Sequence, residues 1–167
     1  MSKITYYWED LQPGSVRDLG TVTVTAEDIK EFAEQFDPQP FHIDELAGRR
    51  SIYGNLCASG WHTCALAMKL TVENFLNESS SMGSPGLENL RWLKPVYPGD
   101  TLRLQYTITE SRPLRKRTDT GLIRADWDLF NQNGERVLHM EGYGMFRRRS
   151  PATPEEIAQL EASLAKG

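Results

Sequence analysis

Cysteine, histidine and long apolar runs are all scarce in this chain, and each shortage removes a class of protein. The 167 residues include two cysteines and three histidines. Two cysteines are too few for the disulfide framework that staples small secreted domains. Cys57 and Cys64 stand seven apart in a predicted helix, so their Cα atoms would lie roughly 10 Å apart, beyond disulfide reach. Two reduced, buried thiols are expected. Neither a Cys-x-x-Cys nor a His-x-x-x-His spacing occurs, and no metal site is expected. No stretch approaches the roughly 18 apolar residues of a membrane span, and the start, Met1 to Asp10, lacks the apolar core of a secretory signal. A formal net charge of −4 argues against a nucleic-acid surface. There is no internal repeat and no low-complexity tract. The expectation is a cytoplasmic protein with neither a membrane nor a nucleic-acid partner.

What is present is a chain long enough for one domain with one core. Residues 5–19 read as a loose lead-in, and Val22-Thr23-Val24-Thr25 as a short strand. Thr25 stands three before Asp28, an N-cap position for a helix with Ile29, Phe32, Ala33 and Phe36 on one face. Asp44 to Arg50 reads as a polar helical turn ended by Gly48. From Leu56 to Leu76 the chain is apolar with almost no charge before Lys69. A helix over Gly60 to Asn77 would be roughly 27 Å long; apolar on most of its circumference, it must be wrapped by protein. Beyond a Ser/Gly/Pro loop come four strands: Leu87–Leu93, Thr101–Thr109, Leu122–Phe130 and Arg136–Arg148. Asn131 to Gly134 forms a hairpin signal between the last two. Thr153-Pro154-Glu155-Glu156 opens an amphipathic tail helix. The fold expected is α+β, an antiparallel sheet curled around a long central helix. Residues 1–150 form the domain and 151–167 the tail helix. Sheet edges left open this way are most simply buried against a second copy, giving a homodimer or a dimer of dimers.

The chemistry-bearing stretch runs from Phe36 to Thr63. Asp37-Pro38-Gln39-Pro40-Phe41-His42 puts a carboxylate and an imidazole in a segment that two prolines keep out of a helix, so a fixed, non-regular loop over Asp37 to Phe41 is expected. Ala58-Ser59-Gly60-Trp61-His62-Thr63 is a small-residue entry into the apolar helix, whose first amides lack helical partners. An acid/base pair beside free amide donors is equipment for chemistry next to a carbonyl.

Three pieces, in order, resemble the MaoC-like dehydratase family of the hot-dog fold, which includes (R)-specific enoyl-CoA hydratases. They are Asp37 to His42, the helix-opening Ser59-Gly60, and Pro95-Val96-Tyr97-Pro98-Gly99-Asp100-Thr101-Leu102; the likeness covers about residues 15–148. Gln39 stands where that family has Asn, and Phe36 where Gly usually precedes the Asp. The resemblance implies reversible hydration of a 2-enoyl-CoA to an (R)-3-hydroxyacyl-CoA, with coenzyme A as part of the substrate and no separate cofactor. Asp37 and His42 would hold the water, with Asp37 preferred as proton carrier. The Gly60 amide would receive the thioester oxygen, and Gln39, Ser59 and Trp61 would meet the substrate.

Plainer roles stand beside these. Gly60 also fits as a packing glycine, Ser59 as a helix N-cap, and Trp61 and Trp92 as core or interface. His62 reads as a polar group satisfied within the fold, and His139 as structural. Arg112, Arg115, Lys116 and Arg117, or Arg147 to Arg149, would either meet coenzyme A phosphates or simply be solvated. A hot-dog thioesterase is a second enzyme reading, weakened by the lack of an acid between Thr63 and Leu70. A non-catalytic acyl-CoA-binding or scaffold protein is a third, weakened by the presence of both Asp37 and His42.

Overall fold

A computed structural model describes residues 3–166; Met1, Ser2 and Gly167, counted above in the domain and its tail, lie outside them. Its first strand, β1 (Val16–Thr23), starts well before the predicted Val22. Gly20, at φ +87°, sits in a break of register between Asp18 and Thr21. Side-chain alternation resets across such a bulge, which hides the first half of the strand from a period-two reading. The expected loose lead-in also contains a 3-10 turn, Trp8–Asp10.

Helix α1 (Ala26–Phe36) starts where Thr25 says it should. The Thr25 hydroxyl accepts from the Asp28 N–H at 3.1 Å, and the Asp28 carboxylate accepts from the Thr25 N–H at 3.4 Å. This capping box satisfies two amides that a helix end otherwise leaves open. Ile29 and Ala33 are buried, but Phe36 is 68% exposed. The helix ends at that residue, and its ring meets that of Phe32, 5.0 Å between centroids.

Two short helices follow, α2 (Pro40–Ile43) and α3 (Glu45–Arg50). The expected irregular loop is therefore shorter than predicted. Proline is tolerated at the first helical position because its missing N–H has no partner there, and Pro40 occupies that position. Gly48 lies inside α3, not at its end; a Cβ there would come within 2.5 Å of the Leu56 nitrogen.

Helix α4 (Gly60–Asn74) ends before the predicted Asn77. Phe75 leaves helical geometry, at φ −150° and ψ −59°, and a 3-10 turn over Leu76–Glu78 follows. That departure carries the Phe75 ring into the core, against Tyr106 at 5.6 Å and Phe146 at 5.9 Å. Burying an aromatic ring outweighs the last turn of a helix.

Strands β2 (Leu87–Trp92), β3 (Thr101–Pro113), β4 (Thr120–Phe130) and β5 (Arg136–Arg147) join β1 in one antiparallel sheet, ordered β1-β3-β4-β5-β2. Its inner face carries Leu104 opposite Leu129, and Tyr106 opposite Trp127. Trp127 in turn lies opposite Met140. These side chains share one buried cluster with Ala67 and Leu70 of α4. The outer face is charged, with Asp126 opposite Glu141 and Asp128 opposite His139. Alternation along the strands largely separates core from outer face, and the sheet curls around α4 as a hot-dog fold. The wrapping is not complete: Trp61 is 59% and Met68 44% exposed on the helix's outer side. The tail helix α5 (Pro154–Leu164) is capped by Thr153, and Glu156 pairs with Arg148 at 3.3 Å.

Candidate active site

Asp37 closes α1, its N–H bonded to the Ala33 carbonyl at 2.8 Å. Helix α2 then turns His42 back toward it. The His42 Nδ1 lies 2.6 Å from the Cys57 carbonyl oxygen, an atom that can only accept, so Nδ1 carries a hydrogen. That leaves Nε2 facing Asp37, 3.4 Å from Oδ2. The Cys57 N–H returns a bond to the Phe41 carbonyl at 3.2 Å, tying the two segments together. The His42 side chain is 7% and the Asp37 side chain 19% exposed, so one is set in the wall and the other reaches the opening.

Both oxygens of Asp37 are held. Ser59 Oγ donates to Oδ2 at 2.7 Å, and Gln39 Nε2 donates to Oδ1 at 2.8 Å. Burial is the largest single influence on this carboxyl and pushes its pKa up. The Ser59 and Gln39 hydrogen bonds and the nearby His42 together outweigh it, and the net pKa is lowered. Cys57, by contrast, is pushed up to about 11, first by burial and then by the Asp37 charge.

The pair opens into a cavity of about 410 Å³, lined by Phe41, Tyr53, Trp61, Thr63, Trp92 and Val96 among others. Gly60, the first residue of α4, also lines it, so the N-terminus of that helix, where amides lack partners one turn back, borders the cavity. Trp92 lies across Gly60: its Nε1 donates to the Gly60 carbonyl at 2.9 Å. A Cβ on residue 60 would come within 2.4 Å of the Trp92 ring. Glycine is therefore required here by packing, whatever its amide does.

Of the residues singled out from sequence, Asp37, Gln39, His42, Gly60 and Trp61 line this one cavity. Ser59 does not. It is fully buried, caps α4 by accepting from the Trp61 N–H at 3.3 Å, as the alternative reading of it expected, and donates to Asp37. Trp61 and Trp92 are not core residues; at 59% and 47% exposed they meet edge to face, 5.2 Å apart, at the mouth. His62 is buried and stacked 4.8 Å from Phe32. Its Nδ1 has no hydrogen-bond partner among the described residues, so the expected internal satisfaction is not met. Cys57 precedes α4 instead of lying in it, and both thiols are free, Cys57 buried and Cys64 only partly so. Neither basic cluster lines the cavity; Arg148 and Arg149 pair with Glu9 and Asp10.

Tyr53, Leu93 and Lys94 line the cavity without having been singled out as site residues. They come from a turn and a strand end, where no spacing signal marks a neighbour of Asp37. On the outer face, Asp126, His139 and Glu141 bring donor atoms within 4.8 Å of one another, the arrangement among the described residues that could hold a metal. Two of its three members are already engaged: Asp128 lies 2.8 Å from His139 Nδ1, and Arg124 pairs with Glu141.

An antiparallel sheet curled around a central helix, with a carboxylate and an imidazole converging near that helix's N-terminus, defines a protein of the hot-dog fold with a titratable pair beside its cavity. The model of the MaoC like domain matches residues 10–125, and the chain belongs to that family. A MaoC-like dehydratase from Rhodospirillum rubrum, known from a crystal structure, is 39% identical with a TM-score of 0.82, over 87% of this chain and 99% of that one. Protein MaoC of Klebsiella aerogenes is 30% identical over 123 residues, 73% of this chain and 36% of that protein. Mesaconyl-CoA hydratase of Cereibacter sphaeroides is 35% identical over 89 residues, 52% of this chain and 26% of the relative. This chain spans well under half the length of those two curated relatives.

Proposed function

We propose that this chain is a hydro-lyase that adds water reversibly across the double bond of a 2-enoyl-CoA, giving the 3-hydroxyacyl-CoA. One observation carries the reading: Asp37 Oδ2 and His42 Nε2 face each other at 3.4 Å beside the cavity, while Nδ1 is committed to the Cys57 carbonyl. With the ring neutral, both facing atoms are acceptors and cannot bond to each other. A molecule with two donors satisfies both, and water is the smallest. The relatives named for dehydration or hydration support the same chemistry.

Asp37 takes one proton of that water as the oxygen bonds to Cβ of the substrate. The double-bond electrons move toward the thioester, forming an enolate. Its oxygen lies against the N-terminus of α4, where the helix end favours negative charge and the Gly60 N–H is the donor assigned to it. The proton returns from the Asp37/His42 pair to Cα, so the sum is addition of H and OH. The (R) hand of the product is what the family resemblance implies. Coenzyme A enters as part of the substrate, and the chain uses no separate cofactor.

A second copy completes this arrangement. β2 is an edge strand, and Leu87, Trp92 and Leu93 on or beside it are 50%, 47% and 45% exposed. A homodimer paired along β2 would bury them and wall the mouth of the cavity; a dimer of dimers would extend the same assembly. No helix among the described residues is long and apolar enough to cross a membrane, and free thiols suit the reducing cytoplasm.

The test follows loss of enoyl-thioester absorbance with crotonyl-CoA and with a longer enoyl-CoA. Asp37→Asn and His42→Ala should each lower kcat/KM by about 10²-fold or more with folding intact, the scale of positioned acid/base catalysis. Unchanged turnover in either folded variant would remove that residue from the mechanism. Release of free thiol would instead make the protein a thioesterase.

A further inference from the structure

Gln39 is an exposed side chain, yet it is built into the site more firmly than exposure suggests. Proline flanks it on both sides, which restricts the backbone before and after it. Its N–H bonds to the Asp37 carbonyl at 2.8 Å, and its own carbonyl accepts from the His42 N–H at 2.9 Å. One residue thus ties the two halves of the dyad through the main chain. Its side chain then reaches back to Asp37 Oδ1, also at 2.8 Å. A glutamine on a mobile surface loop would give up about 2 kcal/mol of side-chain freedom to keep such a bond. Here the fixed backbone leaves a short reach and little alternative.

Resting on the hydratase reading, we propose that Gln39 is the positioning residue for Asp37, holding Oδ1 so that Oδ2 is the single oxygen presented to water and to His42. Ser59 approaches Oδ2 from the buried side, and His42 Nε2 faces the same oxygen. Turning the carboxylate part-way about its Cβ–Cγ bond would pull both oxygens off their donors at once. The charged form is favoured, because Gln39 and Ser59 both donate and neither accepts through these bonds.

The titratable groups acting on Asp37 are His42, from α2, and Cys57, from the segment entering α4. The Cys57 thiol, pushed up to about 11 by burial, stays uncharged through neutral pH. The acid limb of a pH–rate profile therefore carries no contribution from Cys57.

Gln39→Met keeps length and removes the donor; Gln39→Glu keeps length, removes the donor and adds a like charge. The carboxyl ¹³C resonance of Asp37, assigned by its loss in Asp37→Asn, should titrate at higher pH in Gln39→Met than in wild type, and higher again in Gln39→Glu. The acid limb of kcat/KM for crotonyl-CoA should move in the same order. At neutral pH, Gln39→Met should lose about 5-fold in kcat, the equivalent of one net hydrogen bond, with KM nearly unchanged. Titration of Asp37 in Gln39→Met at the wild-type pH would overturn the proposal, as would a rise in KM with an unmoved acid limb, which would make Gln39 a substrate contact. If wild type hydrates no enoyl-CoA, the hydratase reading fails while the carboxyl titration still decides whether Gln39 holds Asp37.

Discussion

Replacing Gly60 by alanine separates two roles that meet in one residue. The new Cβ would stand 2.4 Å from Trp92 Cε2 and 2.7 Å from its Nε1, well inside contact distance, so the indole must move. It can do so because nearly half of it is in solvent. Moving it breaks the Nε1 bond to the Gly60 carbonyl, worth about 1 kcal/mol net. It also disturbs the edge-to-face contact with Trp61, worth about 0.5–1.5 kcal/mol. A gain in helix propensity of up to about 1 kcal/mol opposes this, but only weakly at the first helical position, where the backbone is least constrained. The expected net loss is about 2 kcal/mol, read as a lower urea midpoint at unchanged m-value. The cost belongs to the meeting of Cβ and indole, so it should largely vanish in a Trp92→Ala background. There Gly60→Ala should change stability by less than about 0.5 kcal/mol, giving a large coupling energy in the double-mutant cycle. Equal costs in both backgrounds would refute the packing account. Activity adds a second reading: Gly60→Ala keeps the amide, so if its Cβ hinders the enolate oxygen from reaching that amide, it should lower turnover in the Trp92→Ala background too, where it leaves stability nearly unchanged.

Other perturbations address other links in the chain of cause. Thr25→Ala removes the hydroxyl that accepts from the Asp28 N–H and should cost about 1 kcal/mol in a urea melt, whereas Thr25→Ser should cost much less. Cys57, with its thiol pushed up to about 11 by burial and the Asp37 charge, should be silent to a thiol reagent in the native protein at pH near 8 and react once urea unfolds it; fast native labelling at Cys57 would contradict its burial. Leu87→Glu combined with Leu93→Glu should shift the light-scattering mass from dimer to monomer by placing charges on the face assigned to a second copy. A wild type that is already monomeric at micromolar concentration would remove that face from the proposal.

Much of the fold is legible because its causes are local. Thr25 caps α1 through an atom three residues away, and the strand beginning at Thr101 shows its two faces in its own alternation. The stretch Asp37 to His42 could be marked as chemistry-bearing because two prolines and two titratable side chains fall within one short segment. Where local rules failed, a distant contact had overruled them. Gly20 broke the period of β1 by a bulge pinned against β3, and α4 stopped early so that Phe75 could join Tyr106 and Phe146.

The site divides along the same line. Sequence by itself determined that a carboxylate and an imidazole share one proline-bound segment, that a helix begins after them, and that an antiparallel sheet must cover that helix, since residue type, proline placement and periodicity are all properties of neighbours in the chain. Only the tertiary structure decided what those groups do to one another. The Cys57 carbonyl settles which nitrogen of His42 bears hydrogen, Ser59 turns from the cavity to grip Asp37 across 22 positions of sequence, and Trp92 arrives from another strand to make Gly60 obligatory. Hydrogen bonds and steric limits act through a few ångströms of space, and the chain brings such partners together only when it has folded.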